Sequence, residues 1–318
     1  MPSFDVRAFR RADREQVTLL VNRHAAAVVP GVSASVSTVL GQFEREPDEF
    51  IVGPWVEERL CLVAEQDGAV VAAALLVKYR GDDSVGPAYR GAGEIRWLVF
   101  WPSAPSGNPY WRPADEAASG LMTRCLEQLA RWQVTAVLAD GGLPVPGVYG
   151  VPDQWPHVAR LYAEHGFVAD EDAVEVLHIA DLTVVPLPGA SPVPGASVRR
   201  EVGVNGTRFS LHADDVRLGY LEVETLEPAE RHPRGGGLAD IGNLEVLPEH
   251  RRRGIATHLL RHAAQWLRLA HVDRLLTYAA PGEGALLALV ERNGFVELTR
   301  TRRGWVLDRP QSPAAGRR

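Results

Sequence analysis

The chain has 318 residues, 46% of them hydrophobic and 23% charged, with a formal net charge of -6. That length suits two compact domains better than one, and the apolar content is enough to fill two cores. The negative balance argues against nucleic acid as a partner, because nonspecific phosphate binding needs a basic surface.

No apolar stretch approaches the roughly 20 residues needed to span a bilayer, and no basic region followed by an apolar run marks a signal peptide. No membrane partner is expected. Cys61 and Cys125 are the only cysteines and Lys78 the only lysine. Two unpaired thiols without close spacing read as free and buried, which fits a reducing cytoplasm.

In chain order, residues 6–10 form a predicted strand, and Asp13 can cap the helix that follows. A second helix is expected over 36–45. Strands over 60–65 and 70–79 flank Asp67-Gly68, a strong hairpin signal. A strand over 94–101, a helix over 114–132, a strand over 134–139 and a helix over 155–165 complete the first half. Residues 183–197 carry four prolines and two glycines. Such a run cannot hold a helix or a central strand. It reads as a stiff linker between a domain at 1–182 and a domain at 198–310, with 311–318 as a disordered tail.

The second half opens with strands over 198–201, 207–212 and 216–225, the last two joined by Asp214-Asp215. A loop rich in proline and glycine spans 228–237, and Gly235-Gly236-Gly237 reads as a mobile segment at a pocket rim. A strand over 240–247 precedes a helix over 254–270 that places Ala256, Leu259, Leu260, Ala263 and Leu267 on one face. A strand over 274–279, a helix over 284–292 and strands over 295–298 and 304–307 close the chain.

The turn between the 240–247 strand and its helix carries the chemistry. Gly254 lets the backbone approach a ligand, and the helix start presents N–H groups without intrahelical partners. With the positive end of the helix dipole they suit a phosphate or pyrophosphate. The candidate cofactor-binding residues are Leu244, Val246, Leu247, Arg251, Arg252, Arg253, Gly254, Ile255, Ala256 and Thr257. The turn lacks the Gly-Lys-Ser/Thr ending of nucleotide hydrolases. The bland alternative is an ordinary strand–turn–helix with solvated arginines.

Arg251-x-x-Gly254-x-Ala256 follows Val246-x-Pro248 and precedes an amphipathic helix and Asn293-Gly294-Phe295. Together these motifs resemble the acetyl-coenzyme A loop and its surroundings in the GNAT superfamily of N-acetyltransferases. The first half repeats the element order and ends its last helix in His165-Gly166-Phe167. The resemblance therefore implies an α/β fold with mixed α+β sheets, as two tandem GNAT-like acyl-CoA N-acyltransferase domains. The first copy is degenerate: after Val99-x-x-Pro102 its turn, residues 103–113, has no Arg-x-x-Gly-x-Gly/Ala, and its prolines remove backbone donors. The second copy keeps the loop but lacks the helices that form one wall of the family's acceptor pocket.

The resemblance implies acetyl-CoA as co-substrate, no metal, and direct attack by an amine of a small molecule or peptide; it is compatible with a homodimer. The alternative is an acyl-CoA-binding regulatory protein with impaired catalysis. No Gly-x-Ser-x-Gly nucleophile motif argues for an acyl-enzyme. An alkylammonium resembling lysine, of pKa about 10.4, costs about 4.6 kcal/mol to deprotonate at pH 7. A positioned carboxylate relieves this, contributing roughly 10²–10⁴ in rate.

Asp240 and Glu245 are the candidate catalytic residues. Asp240, eleven residues before Arg251, matches the base-bearing position of histone acetyltransferases, and strand alternation puts it on the face of Leu244 and Val246, with Glu245 opposite. Their ordinary alternatives are a solvated strand-start residue and an ion pair with an arginine. The backbone N–H of Val246 or Leu247 is the expected donor to the tetrahedral intermediate. The family's acid tyrosine is replaced by Val290, leaving Tyr278 as a substitute or a packed aromatic; the first copy has Tyr162 there. Glu283 stands where asparagine is common near the cofactor. His258 and His262, four apart on a helix, lack the companions of a metal site and read as solvated or capping-region residues.

Overall fold

The computed structural model describes residues 4–44, 53–102, 114–204, 206–226 and 237–308. The degenerate turn at 103–113, the loop at 228–236 with Gly235 and Gly236, and the tail at 311–318 lie outside the described residues. The chain divides into two compact units: residues 1–174 with 301–318, and residues 175–300.

The first unit runs β1 (Phe4–Ala8), α1 (Arg14–Val28), α2 (Val36–Glu44), β2 (Val56–Gln66), β3 (Ala69–Tyr79), β4 (Gly93–Phe100), α3 (Asp115–Arg131), β5 (Val137–Ala139), β6 (Val151–Pro152), α4 (Pro156–Glu164) and β7 (Phe167–Val168). The β2–β3 turn is the expected hairpin, with Asp67 and Gly68 at φ of 51° and 78°, the left-handed pair such a turn requires. Asp13 does not cap α1 through its side chain; its carboxylate accepts from Arg7 at 2.7 Å and from the Arg10 backbone at 2.8 Å. The sheet order is β1-β2-β3-β4-β5-β15-β7, where β15 (Trp305–Leu307) comes from the far end of the chain.

The second unit begins with β8 (Val174–Asp181), a strand absent from the sequence-based expectation. It continues through β9 (Ser197–Gly203), β10 (Gly206–Ala213), β11 (Val216–Leu226), β12 (Gly237–Val246), α5 (Ile255–Leu269), β13 (Val272–Ala279), α6 (Gly284–Arg292) and β14 (Val296–Arg302). Its strands lie in the order β14-β8-β13-β12-β11-β10-β9.

The units are therefore not the contiguous 1–182 and 198–310 expected. β8 follows the first unit in sequence yet sits between β13 and β14, and β15 follows the second yet sits between β5 and β7. Each sheet takes its strand from the other half of the chain. Residues 183–196 lie within the second unit rather than between two: Val185 is buried in its core and Val193 and Ala196 pack against it. No helix among the described residues is long and apolar enough to cross a membrane.

The core of the second unit lies under α5. Leu221, Val223, Ala239 and Leu275 of the sheet meet Ile255, Leu259, Ala263 and Leu267 of the helix, all buried. Each fully buried Leu or Ile is worth about 1.5–3 kcal/mol. Ala256, expected on this face, is only half-buried, and Ile255 takes the core position.

The opposite sheet face explains how this unit folds with no helix between β9 and β10. In the first unit one cross-strand row on the matching face is Cys61, Leu75 and Trp97, with Phe43 of α2 against the Trp97 ring at 6.0 Å between centroids. In the second unit the corresponding row is Arg208, Glu222 and Asn243. Glu222 accepts from Arg208 Nε at 2.7 Å, Asn243 Nδ2 at 2.8 Å and the Val204 backbone at 3.1 Å. An apolar row needs a covering helix; a satisfied polar row does not.

Candidate active site

β12 pairs with its two neighbours differently. Against β11 it is antiparallel to its end; against β13 it is parallel only as far as Asp240 and Leu276. Beyond that point the two strands part and leave a gap. The Leu247 N–H donates to Leu218 O at 3.0 Å, so it cannot serve as the expected free donor. Since successive backbone groups alternate sides along a strand, the N–H groups of Val246 and Leu244 point into the gap.

A bulge corrects a second expectation. Glu222 pairs with Asn243 but Val223 with Ile241, which leaves Gly242 unpaired and inserts one residue into β12. Directly opposed residues share a face. The register then places Asp240 with Glu224, Asn243 with Glu222 and Glu245 with Tyr220, all on the face away from α5. Asp240 and Glu245 are thus on the same side, and Leu244 and Val246 on the other, contrary to simple alternation.

The turn after β12 is folded by two left-handed residues, Arg252 at φ 62° and Gly254 at φ 85°. Gly254 precedes the first helical residue of α5, which has no side-chain cap. The helical hydrogen bonding of α5 starts with His258 N–H donating to Gly254 O, at 3.0 Å. The N–H groups of Ile255, Ala256 and Thr257 are consequently available to an anion. Arg251 Nε donates to Val246 O at 3.0 Å and braces the turn.

A cavity of about 640 Å³ lies between the end of β12, this turn and α6. It is lined by Leu244, Glu245, Val246, Arg251, Arg252, Gly254, Ile255, Ala256 and Thr257 among the expected residues, whereas Leu247, Arg253 and Asp240 are not in its wall. The α6 side contributes Gly282, Glu283, Gly284, Ala285, Ala288 and Arg292. Glu283 accepts from the Ala280 backbone at 2.8 Å. Sequence reading missed the small residues and Arg292; their spacing at 284, 288 and 292 was the available signal, since it puts them in one row along a helix.

At the corresponding positions the first unit carries bulkier side chains. Counting back from Gly166-Phe167 and Gly294-Phe295, Trp155, Pro156, His157 and Arg160 stand where α6 has Glu283, Gly284, Ala285 and Ala288. Trp155 is buried with Nε1 donating to His24 O at 3.1 Å. His157 Nε2 and His24 Nε2 are 3.0 Å apart, and His24 Nδ1 is 2.8 Å from Leu20 O. A carbonyl only accepts, so His24 carries its proton on Nδ1 and accepts from His157. Burial lowers both, His24 to about 4 and His157 to about 3, which keeps the pair neutral. Tyr162 is buried with its hydroxyl donating to Asp140 O at 2.8 Å.

Burial pushes the Asp240 carboxyl up to about 6, and the charge of its cross-strand partner Glu224 adds to the rise. Asp240 Oδ1 is buried without a hydrogen-bond partner. Glu245 is exposed and forms no ion pair among the described residues. Tyr278 lies two residues beyond Leu276, on the face of Asp240. Val290 is fully buried in the core under α5. The His258 and His262 rings meet edge to face at 4.5 Å; His258 is buried rather than solvated, and burial lowers both. Among the described residues no cluster of three or more His, Cys, Asp or Glu is arranged to hold a metal.

Residues 197–295 match the model of the acetyltransferase (GNAT) family. No curated protein matches the sequence. Solved structures similar to this chain include a tandem GNAT protein from the clavulanic acid biosynthesis pathway, with TM-score 0.63, 16% identity, and coverage of 96% of this chain and 98% of that one. A second is a GCN5-related glucosamine N-acetyltransferase region of a fungal multi-domain GH3 β-N-acetylglucosaminidase, with TM-score 0.63 and 16% identity over 96% of this chain and 38% of that one. A third is a GCN5-related N-acetyltransferase from Sphaerobacter thermophilus, with TM-score 0.58 and 16% identity over 95% and 94%. At these identities the structural matches speak to the fold. The chain has the fold of tandem GNAT proteins, and within it residues 197–295 match the GNAT family model.

Proposed function

We propose that the chain transfers an acetyl group from acetyl-CoA to an amine, with the second unit binding the cofactor. The observation that carries this reading is the cavity into which an uncapped helix N-terminus, the left-handed Gly254 and the open side of β12 all converge. The residues present fit coenzyme A: free N–H groups and arginines suit its pyrophosphate, and an apolar channel of Leu244, Val246, Ala285 and Leu289 suits its pantetheine arm. Bound there, acetyl-CoA supplies the thioester carbonyl that the amine attacks and the thiolate that leaves.

The chain's own groups do the rest. The Val246 N–H donates to the carbonyl oxygen as charge builds on it. Asp240, held near 6, is ionised at neutral pH yet basic enough to take the proton of the attacking amine through water. Glu245 and Glu224 add negative charge that favours a cationic acceptor. Val290, buried and apolar, cannot protonate the leaving thiolate. That observation favours a second reading, an acyl-CoA-binding regulatory protein.

Thiol release from acetyl-CoA separates the two, with polyamines, aminoglycosides, glucosamine, amino acids and peptide N-termini offered as acceptors. Acceptor-dependent release, reduced by Asp240→Asn, is the expected result. Tight cofactor binding with no release across the panel would establish the regulatory reading instead.

A further inference from the structure

Arg292 is a cation in the cavity that the phosphate-binding turn does not account for. It stands at the end of α6 and lines the same space as Arg252 and the start of α5. Gly284, Ala288 and Arg292 are spaced four apart, so the side chains between Arg292 and the far end of the helix row are small. Neither Arg292 nor Arg252 has an acidic partner among the described residues. Arg251, by contrast, is engaged with Val246 O, and Arg253 lies outside the cavity wall.

The last turn of α6 is fixed. Asn293 is wholly buried, accepts from Arg261 Nε of α5 at 3.1 Å and donates to Leu289 O at 2.8 Å. The backbone presenting Arg292 is thereby held beside α5. In the first unit the matching residue, counted from Gly166 as Arg292 is from Gly294, is Glu164. The sign of the charge reverses in the copy that lacks the Arg-x-x-Gly-x-Ala turn.

We propose that Arg292 binds a phosphate monoester beyond the pyrophosphate, the 3′-phosphate of coenzyme A, and so makes the cavity discriminate coenzyme A from its 3′-dephospho form. This inference rests on the acyl-CoA reading of the cavity. The α5 N–H groups and Arg252 neutralise the pyrophosphate, and the guanidinium of Arg292 matches the remaining phosphate with two parallel donors. An arginine placed only to complement the helix dipole would show no such discrimination.

The test is calorimetric titration of the full chain with coenzyme A and with 3′-dephospho-coenzyme A. The wild type is expected to favour coenzyme A by about ten-fold or more. Arg292→Ala should weaken coenzyme A to the level of the dephospho form and leave the dephospho form unchanged; Arg292→Lys should recover part of the preference. Equal binding of both ligands by the wild type, or a preference that survives Arg292→Ala, overturns the assignment while leaving the cofactor reading intact. Binding of neither ligand overturns both.

Discussion

Asp240→Asn should make the protein more stable and less active at once. The half-buried carboxyl rises from its ordinary 3.8 to about 6, a change worth about 3 kcal/mol when ionised, at 1.36 kcal/mol per pH unit. Partial exposure reduces that to about 2 kcal/mol. The sign follows from linkage. The fold binds the proton more tightly than the unfolded chain, so ionisation costs stability. The penalty is nearly absent below about pH 4, grows as pH rises toward 6, and is constant above that.

Asparagine keeps the shape without the charge. Urea unfolding of both proteins should show the variant more stable by about 2 kcal/mol near pH 8, with most of the gain gone near pH 4. In the same preparations acetyl transfer should fall by roughly 10²–10⁴, and the wild-type kcat/KM should climb on its acid side around pH 6 as Asp240 deprotonates. A variant destabilised at both pH values, or stabilised equally at both, would show that the carboxylate is not desolvated and would remove the basis for calling it the base.

Gly254→Val should weaken cofactor binding by about 5- to 30-fold in the same calorimetric titration. An added Cβ there meets only Pro192 at 3.6 Å, an ordinary contact, so the damage comes from forcing φ 85° on a branched residue, at about 1–2 kcal/mol. Asn293→Ala should cost about 1–3 kcal/mol of stability by leaving buried polar groups unpaired, and should weaken coenzyme A binding because α6 is no longer held to α5; unchanged denaturation midpoints would contradict this. Glu94→Ala in the first unit should lower stability by about 3–5 kcal/mol while coenzyme A affinity stays the same, measured by urea unfolding and calorimetry.

The local features were legible because local chemistry sets them. Asp67-Gly68 and Asp214-Asp215 require left-handed turns, and Asp67, Gly68 and Asp214 adopt them at φ of 51°, 78° and 52°. Gly254 announces its own turn. What the sequence concealed depends on partners remote in the chain. β8 is a strand because β13 and β14 flank it, and β15 because β5 and β7 do; nothing within either segment reports that exchange. The proline-rich run hid the same fact, since Val185 reveals its core position only in the folded unit. The face of Asp240 was misjudged for a different reason: counting by twos cannot detect the residue that a bulge inserts at Gly242.

The two sheets hold the same experiment with opposite outcomes. Glu94 precedes the bulge at Arg96 as Asp240 precedes the bulge at Gly242; the parallel strand pairing ends at Asp240 itself in one sheet and one residue past Glu94, at Ile95, in the other. Both carboxyls are raised by burial. Glu94, however, accepts a hydrogen bond from Tyr79 and faces the Arg96 guanidinium at 3.6 Å, so its charge is already answered within the unit. Asp240 has Glu224 as its neighbour and a buried oxygen with no partner. An unanswered carboxylate is a cost to folding that a structural role does not require. Its retention next to the open strand, in the unit that also keeps the anion-binding turn, is what a site awaiting a cationic amine would show.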